Sequence, residues 1–164
     1  MATAAMKVVK SNSPEYCAFT HDATATAMVK AKSEMPDLFA VRSILFLPAS
    51  NPRAIAKARG AGADLVVLDL EDAVKPADKG AARDAAVEAV ASDWPMPVAI
   101  RVNGVGSEWH SLDVDAVAGS DADVAVIPRA SSGRLVREAS AAIGKPVLVM
   151  IETAGSSCRR GDRS

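Results

Sequence analysis

Charged and amide side chains follow a series of short apolar segments between Arg42 and Thr153. A buried parallel strand is a continuous run of Val, Ile and Leu, because helices cover both faces of the sheet. In such folds the carboxyl ends of the strands form the active face. We therefore expect one edge of a parallel sheet to collect six candidate side chains, Glu71, Asp72, Arg101, Asn103, Arg129 and Glu152.

Acidic residues at two of these strand ends are candidates for binding a divalent cation. Asp69, Glu71 and Asp72 occupy three of four consecutive positions. Hard cations take oxygen ligands, so such a cluster can hold one directly or through water. The alternative is helix capping by Asp72, with its neighbours solvated. Glu152 ends the last apolar segment and is either a metal ligand or a cap for whatever follows it.

Two arginines could bind an anionic group at the same edge. Arg101 lies inside an apolar strand segment, and a buried cation needs a partner. Its guanidinium can bind a substrate carboxylate bidentately, or it can form an internal salt bridge to Glu71 or Asp72. Arg129 either adds a second cation near this edge or faces solvent. His110 lies in a loop context and is a poor candidate for a base.

The elements that must position these residues alternate regularly along the chain. Asn51 and Pro52 form an N-cap and a first helical position, and an alanine-rich helix from Pro76 to Ala91 is expected to turn Ala81, Ala85, Val87 and Val90 toward the sheet. Five strands alternating with four crossovers predict a parallel α/β sheet. The predicted strands are 42–48, 65–70, 98–102, 124–127 and 147–151, and the other predicted helices begin at Pro52, span Ser131–Ile143 and lie around 112–117.

Composition limits the class of protein. The 164 residues are 49% hydrophobic with a net charge of -1, which indicates a globular domain and no charge pattern for nucleic acid or a membrane surface. No apolar stretch approaches the ~20 residues that span a bilayer. Cys17 and Cys158 form neither a disulfide framework nor a metal cluster, so the expected location is cytoplasmic.

Three segments are predicted. Residues 1–40 show no strand run and at most a helix over 24–35, so we interpret them as a mobile N-terminal extension. Residues 41–155 form the α/β domain. Residues 156–164 are a polar tail without apolar periodicity.

The ordered set of motifs resembles the HpcH/HpaI aldolase and citrate lyase beta-subunit family. The resemblance covers Arg42 to about Gly155 and lies in Arg42–Pro48, Ala61–Asp64, Leu68–Val74, Ile100–Asn103, Ile127–Pro128 and Ile151–Ala154. It implies a (β/α)8 TIM barrel, of which this chain holds about the first five units. It also implies a Mg²⁺-dependent carbon–carbon lyase or aldolase acting on CoA esters or 2-oxo acids, and a homo-oligomer.

The resemblance assigns roles to individual residues. It implies that Arg101 grips the substrate carboxylate, that Glu152 ligates Mg²⁺ while contacting substrate, and that Glu71 and Asp72 line the outer shell of the metal. Arg129 stands where the family commonly has lysine. The family's second metal carboxylate follows a later strand and has no counterpart here, so we interpret the chain as C-terminally truncated and expect the truncation to impair its activity.

Two other classes of function remain as alternatives at this stage. One is a catalytically inactive fragment or interaction module, because five strands leave unpaired edges. The other is a small doubly wound ligand-binding domain, although the first strand lacks the glycine fingerprint of that fold.

Overall fold

One six-stranded sheet organises the part of the chain that the computed structural model describes, which is residues 36–152 and the backbone of Ala5–Val9. The strands are β1 Ala5–Val9, β2 Ile44–Pro48, β3 Leu65–Asp69, β4 Val98–Arg101, β5 Val124–Ile127 and β6 Val147–Ile151. The helices are α1 Pro52–Ala58, α2 Lys79–Val90, α3 His110–Ala118 and α4 Gly133–Ile143, with a 3-10 turn at Pro76–Asp78 before α2.

The strands β2 to β6 are parallel and lie side by side in chain order. A doubly wound sheet reverses its strand order and binds ligand where the reversal occurs. No reversal occurs here, so the doubly wound alternative is wrong. Sequential parallel strands joined by helices are the arrangement of a TIM barrel.

An additional strand lies outside the parallel series. Strand β1 pairs antiparallel with β6, with Ala5 opposite Ile151 and Val9 opposite Val147. The expectation of no strand within residues 1–40 is therefore wrong. The unpaired backbone groups of a sheet edge can order a segment of weak strand propensity, which explains why local sequence did not reveal it. The proposed helix over 24–35 lies outside the described residues.

The core explains why the strand segments are apolar throughout. Every residue of β3, β4 and β5 is buried. One face of the sheet packs against the helices, through residues such as Leu68, Ile100 and Val117. The other face forms a second cluster around Val67 and Val126, joined by Leu38, Val41 and Ile44.

The helices begin and end largely as predicted. The Asn51 side chain accepts a hydrogen bond from the Ala54 amide, and Gly144 ends α4 with a φ of 66°, a conformation that glycine adopts without steric cost. The predicted inner face of α2 is wrong except for Val90, because the buried residues are Lys79, Ala82, Ala86 and Val90. Alanine is the commonest residue within α2, so the spacing of apolar residues did not distinguish its buried face from its exposed face.

A carboxylate ties the beginnings of β2 and β3 together. Asp64 accepts hydrogen bonds from the Arg42 and Ser43 amides at 3.0 and 2.9 Å, and from the Ser43 hydroxyl at 2.9 Å. The Arg42 guanidinium is 3.2 Å away. These bonds, led by the Arg42 side chain, lower the pKa of Asp64 from 3.8 to about 2.

Core packing predicts a large difference between two leucines. Leu68 is fully buried and Leu112 is 53% exposed. We expect Leu68→Ala to lower the free energy of unfolding by about 2–5 kcal/mol, because a cavity replaces lost contacts. The matched Leu112→Ala should cost less than about 0.5 kcal/mol. Urea unfolding followed by circular dichroism measures both, and similar costs would contradict this packing.

The Asp64 contacts predict a pH dependence of stability. Because its folded pKa is depressed, Asp64 contributes stability above its ordinary pKa of 3.8 and loses that contribution as pH falls through 2. Unfolding of wild type and Asp64→Asn should therefore differ most above pH 4, in wild type's favour, with the gap closing toward pH 2. A gap independent of pH would show that the carboxylate charge is not what stabilises this corner.

Candidate active site

The predicted site residues lie at one edge because the parallel strands end in register. Asp69 at the end of β3 is opposite Arg101 at the end of β4, and Arg101 is opposite Val126 in β5. Ile127 in β5 is opposite Val149 in β6. Side chains at and after these positions therefore converge from four neighbouring strands.

A forked ion pair joins β3 and β4. Arg101 donates from Nε to Asp69 Oδ1 at 2.7 Å and from Nη2 to Oδ2 at 2.6 Å. Arg101 is 8% exposed and Asp69 is 2% exposed. Asp69 also accepts from the Glu71 and Ala73 amides at 2.8 and 3.0 Å. Arg101 thus forms the internal salt bridge to Glu71 that the sequence-based alternative proposed, with Nη1 3.4 Å from Oε2, but its principal partner is Asp69, which that alternative did not include.

This pairing governs the ionisation of both groups. Burial opposes the charge of Asp69, but the Arg101 fork and the two amides more than offset it, so the pKa of Asp69 is lowered. Burial likewise opposes the charge of Arg101, but its bonds to Asp69 raise the pKa above the ordinary value. Both groups stay ionised in the interior.

Glu71 lies next to this pair and differs in its electrostatics. It is 6% exposed, with Oε2 3.4 Å from Arg101 Nη1 and Oε1 3.1 Å from Arg129 Nε. Oε2 has no hydrogen-bond partner. Burial, and then the charge of Asp72, raise the pKa of Glu71 to about 7 against the opposing guanidiniums. A carboxyl group with this pKa can both hold and release a proton at neutral pH.

Arg129 binds Asp72 and Glu152, the two acids that lie nearer the surface than Glu71. Its Nη2 donates to Asp72 Oδ1 at 2.8 Å, and its backbone amide donates to Glu152 Oε1 at 3.0 Å. Asp72 therefore pairs with the Arg129 guanidinium and caps no helix, since α2 and its 3-10 turn begin after it. The structure brings Glu71, Asp72 and Glu152 together around Arg129.

A buried polar network behind these acids was not found by sequence reasoning. Lys79 Nζ donates to the Leu70 and Glu71 carbonyls, both at 2.6 Å, and to Asn103 Oδ1 at 2.7 Å. Burial lowers the pKa of Lys79. The only signal in the sequence is the spacing of Lys79, which places it on the same face of α2 as the buried residues Ala82, Ala86 and Val90.

The same network continues to α3. Asp113 is fully buried and accepts from the Asn103 amide at 2.9 Å, from its Nδ2 at 2.6 Å and from Arg83 Nε at 2.7 Å. His110 Nδ1 is 2.8 Å from the Asn103 carbonyl oxygen. Asn103 therefore joins β4 to α2 and α3, which holds the backbone behind the acids in place.

The donor atoms suit magnesium only in part. Among residues 36–152, no group of three or more His, Cys, Asp and Glu side chains is placed to hold a metal ion. Magnesium is usually bound by one or two carboxylates together with water and substrate oxygens. Glu152 and Glu71, whose Oε2 has no hydrogen-bond partner, have this chemistry. The site therefore fits a magnesium ion held by few protein ligands and not an all-protein cage.

Comparison with known proteins identifies the class. Residues 42–154 match the HpcH/HpaI aldolase/citrate lyase family, and the chain belongs to that family. The family and barrel predictions are confirmed.

Two relatives and two solved structures make the similarity specific. The chain is 43% identical over 116 residues to a (3S)-malyl-CoA thioesterase of Cereibacter sphaeroides, covering 69% of this chain and 41% of the relative. It is 37% identical to a citrate lyase subunit beta-like protein of Mycobacterium tuberculosis, covering 70% and 40%. The citrate lyase beta subunit of that organism with oxaloacetate and magnesium aligns with a TM-score of 0.59 at 37% identity, covering 68% and 48%. The protein CitE of the same organism, solved with magnesium, acetoacetate and coenzyme A, aligns with a TM-score of 0.62 at 36% sequence identity. This alignment covers 72% of the present chain and 42% of CitE.

The chain spans about two fifths of the length of these curated relatives. No helix among the described residues has the length and apolar character needed to cross a bilayer.

The Asp69–Arg101 pair predicts that substitutions at these two positions have strongly coupled effects on the free energy of unfolding. Asp69→Ala should lower the free energy of unfolding by about 3–5 kcal/mol, because it removes both hydrogen bonds of the fork and leaves a buried guanidinium with only the longer contact to Glu71. Arg101→Ala should cost a similar amount, and the double variant less than the sum of the two. As a matched control, Glu138→Ala removes one partner of the exposed Arg134–Glu138 pair and should cost about 0.5 kcal/mol or less. Urea unfolding measures the cycle, and additive single costs would contradict the coupling.

Proposed function

We propose that this chain carries part of the active site of a Mg²⁺-dependent carbon–carbon lyase or aldolase that acts on CoA esters or 2-oxo acids. The observation that carries the proposal is the buried guanidinium of Arg101 beside Glu71, with Glu152 bound to the Arg129 amide at the same carboxyl edge of the sheet. Relatives solved with magnesium and oxaloacetate, or with magnesium, acetoacetate and coenzyme A, support the substrate class.

Arg101 binds the carboxylate of the substrate in this proposal. Asp69 holds one side of the guanidinium through Nε and Nη2. The remaining Nη1 faces Glu71 and lies 3.9 Å from the Met150 sulfur. The guanidinium is therefore oriented before substrate arrives, with Nη1 as the nitrogen that Asp69 leaves available. Substrate binding then costs little entropy for ordering this side chain, and the bound carboxylate is placed for reaction.

Glu71 is the proton-transfer group in this proposal. Its pKa of about 7 leaves it divided between acid and carboxylate forms near neutral pH, where a general acid or base is most effective. The unpartnered Oε2 is the atom that would hold or release the proton. Asp72 orients Arg129 next to Glu71.

Glu152 would hold the magnesium ion, with Glu71 and Asp72 in its outer shell. Bound Mg²⁺ supplies Lewis-acid polarisation of a substrate carbonyl oxygen. Before any ion binds, the Arg129 amide orients Glu152 through its bond to Oε1.

A CoA-thioester hydrolase is the second candidate function. The relative that is 43% identical bears the name of a thioesterase. The two reactions leave different products, since a lyase yields a carbonyl compound and an acyl-CoA, whereas a thioesterase releases the free thiol of coenzyme A.

Measuring the products distinguishes the lyase reaction from thioester hydrolysis. With (3S)-malyl-CoA and Mg²⁺, we expect a carbonyl product detected with phenylhydrazine before any thiol is detected with Ellman's reagent. Glu152→Gln should lower that rate by about tenfold or more, because it removes a metal-binding carboxylate. The matched control Glu138→Gln, on the exposed face of α4, should leave the rate unchanged.

Three other results would point elsewhere. Thiol release without a carbonyl product would favour the hydrolase. Equal rates for Glu152→Gln and wild type would remove Glu152 from the metal site. No product of either kind from folded protein would leave the inactive fragment or interaction module as the better account.

A further inference from the structure

We propose that Arg129 is a resident counter-ion of the acid cluster formed by Glu71, Asp72 and Glu152, and that it competes with an incoming divalent cation. This inference rests on the proposed function, which assigns Glu152 to the cation. It adds a residue that sets the affinity of the site.

The contacts of Arg129 reach all three acids. Its side chain lies 3.1 Å from Glu71 Oε1 and 2.8 Å from Asp72 Oδ1, while its backbone amide is 3.0 Å from Glu152 Oε1. One residue therefore contacts two of the acids with its side chain and binds the third through its main chain.

The backbone of Arg129 is strained in a way that allows this double contact. Its φ of 49° is the only positive value among the non-glycine residues in the described part of the chain. Such a conformation is uncommon outside glycine, and it persists where surrounding interactions hold it. Here it lets the amide point at Glu152 while the side chain returns to Glu71 and Asp72.

The local charge favours a cation as competitor over an anion as ligand. Four acids, Asp69, Glu71, Asp72 and Glu152, face two guanidiniums and the buried ammonium of Lys79, and Asp69 engages Arg101. An added anion beside Arg129 would meet the three acids that this residue already contacts. An added divalent cation beside Arg129 would gain from the negative charge of these acids, with Glu152 as its ligand and buried Glu71, whose Oε2 has no hydrogen-bond partner, in its outer shell.

The two guanidiniums differ in their freedom to move. The Arg101 side chain is buried in its pair, whereas that of Arg129 is 55% exposed. Arg129 can therefore turn outward into water when a divalent cation takes its place. The bond from its amide to Glu152 does not depend on the side chain and remains during this exchange.

Three substitutions separate charge from backbone effects. Arg129→Met removes the charge and keeps a long side chain. Arg129→Gly removes the charge, keeps the amide donor to Glu152 and suits a positive φ. Arg129→Lys keeps the charge. Arg134→Met removes a guanidinium whose partner is Glu138 on the exposed face of α4, and it serves as the control.

Binding of Mn²⁺, followed by loss of the free-ion electron paramagnetic resonance signal, and of Mg²⁺, followed by calorimetry, tests the proposal. We expect Arg129→Met and Arg129→Gly to bind both ions about tenfold or more tightly than wild type, since a nearby like charge weakens cation binding. Arg129→Lys and Arg134→Met should stay within about twofold. Added Mg²⁺ should also raise the melting temperature of Arg129→Met more than that of wild type.

Each result is decisive. If Glu152→Gln abolishes Mn²⁺ binding but Arg129→Met binds no more tightly than wild type, the competition is wrong and the metal assignment stands. If Arg129→Lys gains affinity as Arg129→Met does, charge is not the cause and the proposal fails. If oxaloacetate binding falls in Arg129→Met and cation binding does not change, Arg129 is an anion ligand instead. If neither Arg129→Met nor Arg129→Gly binds either ion at millimolar concentration, both the competition and the metal site are overturned.

Discussion

The site depends on one constraint, which is that a guanidinium buried at the end of a strand must be paired. Arg101 satisfies it with Asp69, its direct neighbour across the parallel ladder. A charge without a partner at this depth would cost several kcal/mol. The pair therefore penalises any shift of β3 against β4, and it sets the direction of the guanidinium. Both the strand register and the orientation of the proposed carboxylate-binding group follow from the same contact.

Around this pair the polar groups form layers that differ in exposure. Behind it, Lys79 and Asp113 are buried and fully engaged with Asn103 and the backbone. In front of it, Glu71 is buried but has an oxygen without a hydrogen-bond partner, and Arg129 is half exposed. Groups with satisfied bonds provide rigidity, whereas the oxygen without a hydrogen-bond partner and the half-exposed guanidinium lie where ligands would arrive. This division is the arrangement expected of a preorganised site.

In TIM barrels the active face is formed by the carboxyl ends of the strands, and the contacts at this edge show why its side chains can act together. Parallel strands in chain order bring their carboxyl ends together, so residues far apart in sequence, such as Asp72 and Arg129, become ion-pair partners. The antiparallel strand β1 lies along the outer edge of β6. Its residues pair in register with β6, from Ala5 opposite Ile151 to Val9 opposite Val147.

Continuous apolar runs, capping residues and breakers determined the parallel strands, most helix boundaries and the edge at which Glu71, Arg101 and Glu152 lie, because these signals are local and periodic. The sequence alone could not decide which acid pairs with Arg101, since Asp69, Glu71 and Asp72 are equivalent by spacing. Only the ladder register, with Asp69 opposite Arg101, selected the partner. The inner face of α2, the Lys79 network and strand β1 likewise depended on long-range packing, because burial and pairing across the fold override weak local preferences.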